Sequence, residues 1–177
     1  MLLPQIADKH DADILILCEP YRMQQTQDWI TKETKTAAIW VKGAARARIT
    51  ARGVGDDYVW ARVGAVTYVS VYLTPNCAAP EFLAKVALLE DRLRDLPRDL
   101  NARAVKWGMT VTNIRGRLLL EMAARLDLVR ANTGDVPTYR RPGFGDSFPD
   151  VTMATERILP RIGRWRVFEG YTASDHQ

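Results

Sequence analysis

The stretch Tyr58-Val-Trp-Ala-Arg-Val-Gly-Ala-Val-Thr-Tyr-Val-Ser-Val-Tyr72 decides the fold. Tyr58–Val63 and Val66–Tyr72 are rich in β-branched and aromatic residues, and the second run is apolar on alternate positions. Gly64-Ala65 leaves room only for a tight turn, so the spacing predicts two paired strands of an antiparallel meander. Upstream, Thr36–Val41 ends at Gly43 and reads as a further strand. Asp13–Cys18, closed by Pro20, reads as a strand buried on both faces. Between them and the meander, Arg46–Ala51 alternates charged with small or apolar residues, and Gly53 and Gly55 mark a turn.

After Pro80 the period changes. Phe82, Val86, Leu89, Leu93 and Leu96 repeat every three or four residues, the stripe of an amphipathic helix that Pro97 stops. Glu81 near its start and Arg92 and Arg94 near its end complement the helix dipole. A second helix is expected over Gly116–Leu126, with Leu119, Met122, Ala123 and Leu126 on one face. Strands are expected at Leu128–Ala131, Phe148–Ala154 and Arg164–Phe168. This order of strand runs with interposed helices predicts an α/β (α+β) fold. Two mainly antiparallel sheets pack as a sandwich with helices outside, in one domain over residues 1–177.

The 177 residues are 47% apolar and 26% charged, ordinary globular composition that excludes a disordered, collagenous or coiled-coil chain. Cys18 and Cys77 each sit alone in an apolar run and read as small buried hydrophobes in a reducing compartment. No long uncharged apolar stretch and no basic leader followed by an apolar segment is visible, so a soluble intracellular protein without a membrane partner is expected. Nineteen of the 25 basic residues are arginine, whose planar fork suits phosphate, and the net charge of +4 leans toward a polyanionic partner. Plain surface solvation explains the same count.

Acids and hydrogen-bonding residues lie near the ends of the expected strands. They are Glu19 before Pro20-Tyr21, Tyr72 in Ser70-Val-Tyr-Leu-Thr-Pro75, Asp99-Leu-Asn101, Asp150-Val-Thr152 and Ser174-Asp-His176. Singly, each has a bland reading: a solvated turn acid, a core tyrosine, a chance Asp-His pair. Their order is more informative. Together with the strings Cys18-Glu-Pro-Tyr21, Asn101-Ala-Arg, Pro137-Thr-Tyr and Ser147-Phe-Pro-Asp-Val-Thr-Met-Ala154, it resembles the endonuclease/exonuclease/phosphatase superfamily, which includes the DNase-I-like and apurinic-endonuclease-like proteins. More narrowly, it resembles the endonuclease domain of non-LTR retrotransposons, most of all those inserting into ribosomal RNA genes of insects. The likeness runs from Ala12 to His176.

The resemblance implies a Mg²⁺- or Mn²⁺-dependent DNA endonuclease that nicks double-stranded DNA to prime reverse transcription, without a small-molecule cofactor. Phosphodiester hydrolysis needs a cation against developing charge, an activated water and donors on the nonbridging oxygens. By likeness Glu19 is the metal ligand and Asp175 supports the metal side. His176 donates to the scissile phosphate, with Asp150 holding the imidazole. Asp99 positions or deprotonates the attacking water, while Asn101 and Tyr72 contact the phosphate. Thr138 and Thr152 are candidate supporting or DNA-contacting residues. Arg157, Arg161, Arg164 and Arg166, interleaved with Trp165, could track the DNA backbone or form a solvated strand face. A nuclear location follows from a genomic substrate. Target sequence and oligomeric state stay open.

The sequence departs from the family in three places. No asparagine-bearing strand precedes the glutamate strand, and the sequence given ends at Gln177, where the family has a further strand. Only Pro97-Arg98 separates the helix from Asp99, where the family has a buried strand ending in Asp-Phe-Asn. Either Asp99-Leu100-Asn101 is that motif with its strand shortened, or the strand and its aspartate are deleted. Leu96-Pro97 before Asp-Leu resembles the lead-in to the strand and favours deletion. Two other readings accompany the nuclease: a degenerate or host-captured copy keeping fold and DNA binding, and a phosphatase of the same superfamily.

Overall fold

A computed structural model describes residues 3–20, 26–34, 36–74, 76–96, 100–103, 114–141 and 145–168, with backbone alone for 100–103 and 141. The elements are α1 (Leu3–Lys9), β1 (Ile14–Cys18), β2 (Trp29–Thr31), β3 (Ala37–Val41), β4 (Ile49–Val54), β5 (Tyr58–Val63) and β6 (Val66–Val71). They continue with α2 (Ala79–Arg94), β7 (Leu100–Arg103), α3 (Ile114–Arg125), β8 (Leu128–Arg130), β9 (Tyr139–Arg141), β10 (Gly145–Ser147) and β11 (Thr152–Thr155). One sheet has the order β1-β3-β2 and a second the order β4-β5-β6-β7-β11-β8, while β9 and β10 form a separate hairpin.

The meander is as the sequence predicts. β4, β5 and β6 pair antiparallel in sequence order, and Val63 lies opposite Val66. Gly64 takes φ +62, the left-handed backbone that a two-residue turn of this kind requires. Gly53 does not make a turn, contrary to expectation. It sits inside β4 opposite Trp60, where a Cβ would come within 2.5 Å of the indole nitrogen. The turn begins at Gly55 instead, whose N–H donates to the Tyr58 carbonyl at 2.8 Å.

β5 and β6 have period-2 side chains and serve two cores. Val59, Ala61 and Val63 face Ile30, Ile39 and Val41 of the smaller sheet. Val69, Val71 and Leu73 face Phe82, Val86, Leu89 and Leu93 of α2 and Leu119 and Met122 of α3. The predicted stripe of α2 is thus its buried face, and both helices begin and end within two residues of expectation. Glu90 lies on that buried side at only 8% exposure. The Arg125 guanidinium donates three bonds to its two oxygens at 2.9–3.0 Å, and Arg94 adds a fourth at 2.7 Å, so one carboxylate joins α2 to α3. These contacts hold its carboxyl below the usual range.

Several expectations are corrected. β1 is half-buried along its whole length, not buried on both faces, because it is an outer strand of its sheet. Cys18 within it is accordingly half-buried, while Cys77 is buried as expected. The middle of the larger sheet is held by β7, which begins at Leu100 and includes Asn101, while Asp99 lies outside the described residues. β7 pairs in parallel with β6 and antiparallel with β11, so β6, α2 and β7 form a βαβ unit. The strand expected at Phe148 begins only at Thr152, since Pro149 has no N–H and side chains hold both main-chain groups of Asp150. Arg164–Phe168 is not a strand. Trp165 within it donates to Thr152, and the Phe168 ring lies edge-on to His10 at 4.8 Å. No helix among the described residues is long and apolar enough to cross a membrane.

Phe82→Ala should cost about 3–5 kcal/mol in denaturant unfolding, whereas Leu83→Ala, at a half-exposed position outside the buried stripe, should stay within about 0.5 kcal/mol. Glu90's depressed carboxyl pKa stabilises the fold above the unfolded value near ~4.3, and that stabilisation is lost as pH falls through the folded value. Glu90→Gln should therefore be less stable than wild type at pH 7, with the two unfolding midpoints converging below about pH 4.

Candidate active site

The register of the larger sheet aligns Ser70 of β6, Arg103 of β7 and Thr152 of β11 in one row. Tyr72 lies two residues beyond this row and Asp150 two residues before it, so both leave the sheet at the same edge. The smaller sheet ends there too. The Ser70 hydroxyl donates to the Leu17 carbonyl at 2.9 Å, the Cys18 thiol to the Val71 carbonyl at 3.4 Å, and the Tyr72 phenol to Glu19 Oε1 at 2.6 Å. Glu19 is thus carried to the rim shared by β1, β6, β7 and β11.

Glu19 adopts φ +48, a left-handed conformation uncommon for a residue with a side chain, and its N–H donates to the Thr36 carbonyl at 2.8 Å. The chain turns out of β1 at this residue, and its carboxylate meets Tyr72. Burial pushes the Tyr72 phenol above its usual range, and the Glu19 carboxylate that accepts its proton pushes it further. Tyr72 is therefore a neutral donor throughout the physiological pH range. Its phenolic proton goes to Glu19.

Asp150 is held by its main chain. Thr138 Oγ1 accepts from its N–H at 3.1 Å and Asn132 Nδ2 donates to its carbonyl at 3.0 Å. Asn132 Oδ1 accepts from Thr152 N–H at 2.6 Å, and the Thr152 hydroxyl accepts from the Trp165 indole at 3.1 Å. Thr138 and Thr152 are 3% and 7% exposed, so they support the Asp150 segment and do not present a surface to DNA. Asn132 was not among the expected residues. Its signal was available: an asparagine just past a strand end, in a loop containing Gly134 and Pro137, is a residue type that bonds neighbouring backbone.

Asp99, Asp175 and His176 lie outside the described residues. Asn101 is in β7, paired with Tyr68 and Ala154, so it sits four positions back from the level of Tyr72 and Asp150 and is not brought to the rim. Arg161, Arg164 and Arg166 are exposed around the anchored Trp165. Arg157 is separated from the rim: it follows the opposite end of β11 and lines a cleft of about 720 Å³ with Arg94 and Arg125. Among the described residues no three acidic, histidine or cysteine side chains gather as a metal cage. The donors at the rim still fit Mg²⁺, which keeps most of its water and is bound through one or two carboxylates plus substrate phosphate. Glu19 supplies such a carboxylate.

With this geometry, comparison with known proteins is informative. The family described as endonuclease-reverse transcriptase matches residues 66–177. The chain belongs to the endonuclease-reverse transcriptase family. Within the endonuclease/exonuclease/phosphatase superfamily, it is similar to the endonuclease domain of TRAS1, a telomere-specific non-LTR retrotransposon. The two are 28% identical with a TM-score of 0.73, over 98% of this chain and 87% of that one. It also shares its fold with a 3′-5′ exonuclease, NExo, from Neisseria meningitidis, at 13% identity and TM-score 0.70, over 98% and 91% of the two chains. A structure of the 3′ phosphatase NExo from Neisseria bound to product DNA hairpin is alike in fold, at 13% identity, TM-score 0.69 and the same coverage. A search of curated proteins finds no match. The family and its structural neighbours make this endonuclease-reverse transcriptase member a nuclease-type hydrolase in fold and ancestry.

The folded phenol of Tyr72 titrates above the unfolded value of ~10, so its contribution to stability is complete below that pH and lost as pH rises beyond it. Tyr72→Phe removes a hydrogen bond to a charged group. It should lower stability by about 1–3 kcal/mol at pH 7, with a difference that narrows between pH 10 and 11 in denaturant titrations.

Proposed function

We propose that the chain is a divalent-metal-dependent DNA endonuclease of the non-LTR retrotransposon type, nicking double-stranded genomic DNA in the nucleus to prime reverse transcription. One observation carries this reading: Glu19, Tyr72 and Asp150, far apart in sequence, leave two different sheets at a single rim. Glu19, with Asp175, would hold Mg²⁺ or Mn²⁺, which supplies charge neutralisation at the phosphate when bound. Tyr72 keeps the Glu19 carboxylate oriented through its phenolic proton. Asp150 holds the His176 imidazole in the tautomer that donates to a nonbridging oxygen. Arg161, Arg164 and Arg166 meet the phosphate backbone, which gives binding without sequence information and makes it fall steeply with salt.

Nicking of supercoiled plasmid with Mg²⁺ tests this. His176→Ala and Glu19→Gln should each lower the rate by about 100-fold or more. Activity unchanged in His176→Ala would remove the assignment. No nicking by any form, with DNA still bound, would favour a copy that keeps the fold without hydrolysis. Preference for a small phosphate ester would favour the phosphatase.

A further inference from the structure

We propose that Asn132 is a positioning residue for Asp150, its side chain completing the sheet ladder where the backbone of β8 stops. The proposal rests on the nuclease reading above. The last main-chain bond between β8 and the β11 segment runs from Ala131 N–H to the Thr152 carbonyl, at 2.8 Å. Beyond it the chain turns away through Thr133, Gly134 at φ +84 and Asp135. The two polar groups that a continuing strand would have paired, Thr152 N–H and the Asp150 carbonyl, are left facing the point of departure.

A carboxamide carries the same donor and acceptor as a peptide unit, and Asn132 uses both. Its Oδ1 accepts from Thr152 N–H at 2.6 Å and its Nδ2 donates to the Asp150 carbonyl at 3.0 Å. Thr138 closes the other side, its hydroxyl accepting from Asp150 N–H at 3.1 Å. One loop, 132–138, therefore holds both main-chain polar groups of Asp150 through side chains.

Fixing the N–H and carbonyl of a residue fixes its φ and ψ, and these set the direction of its Cα–Cβ bond. Asn132 thereby determines where the Asp150 carboxylate points. Both clamping groups are uncharged, so they orient the carboxylate without competing for its charge. A carboxylate at position 132 would keep an acceptor for Thr152 and lose the donor to Asp150. A residue one methylene longer would displace the amide along the ladder. Misplacement of a reacting group by ~1 Å can cost ~100-fold in rate.

The test is steady-state nicking by Asn132→Ala, Asp150→Asn and the double variant. Asn132→Ala should lower kcat ~10–100-fold and leave KM for DNA within about twofold of wild type. The double variant should be no slower than Asp150→Asn alone, because both act through one carboxylate. Amide exchange at Thr152 should quicken in Asn132→Ala, with β5 and β6 unchanged. If Asn132→Ala does not fold, Asn132→Asp takes its place with the same expected loss in kcat. An unchanged kcat, or a double variant slower by the product of the two single losses, overturns the proposal and leaves the nuclease reading intact. A wild type that does not nick, or Asp150→Asn at full rate, overturns the nuclease reading and this proposal with it.

Discussion

The polar seam between β1 and β6 governs the rest of the molecule. Two apolar strands from different sheets meet, and apolar contact alone would tolerate sliding by a residue. Three hydrogen bonds in succession, from Ser70 to Leu17, Cys18 to Val71 and Tyr72 to Glu19, prevent it. Ser70 has no exposed surface, so any slip would strand its hydroxyl at a cost of about 1–3 kcal/mol. The register of one sheet on the other therefore follows from matching a few buried polar groups. The position of Glu19 relative to the β7–β11 edge follows from that register.

What was legible in the sequence was whatever a single element decides for itself. The Tyr58–Tyr72 hairpin announces its strands, turn and faces, because side-chain alternation and Gly64 act within fifteen residues. The α2 stripe was equally plain. Glu19, Tyr72 and Asp150 could be singled out from their order along the chain, but their convergence could not, because it depends on pairing between strands distant in sequence. The exposure of β1 went wrong for a related reason: an apolar run looks the same at the edge of a sheet as at its centre.

The residues that escaped notice do their work through partners far along the chain. By sequence Glu90 is one of three acids on α2, and only Arg125 from another helix, taking both its oxygens, sets it apart. Asn132 reads as a loop residue, until Asp150 and Thr152 arrive beside it. By residue type Thr138 and Thr152 suit either a phosphate or a neighbouring polar group of the protein, and their burial and bonds assign them to the second. Trp165 was set among arginines as part of a charged track, whereas its indole N–H is spent on Thr152 and only the arginines around it face outward. Composition cannot distinguish these uses; burial can.

The left-handed backbone at Glu19 sets two demands against each other. A residue with a side chain at φ +48 stores on the order of 1 kcal/mol that glycine would release. Glycine, however, has no carboxylate to meet the phenol across the seam. Pressure for a sturdier molecule and pressure to keep an acid at the rim therefore pull in opposite directions at this one position. Relaxing the backbone by glycine would also strip the Tyr72 phenol of its acceptor, so the strain released at one end of the seam is offset by a bond lost at the other.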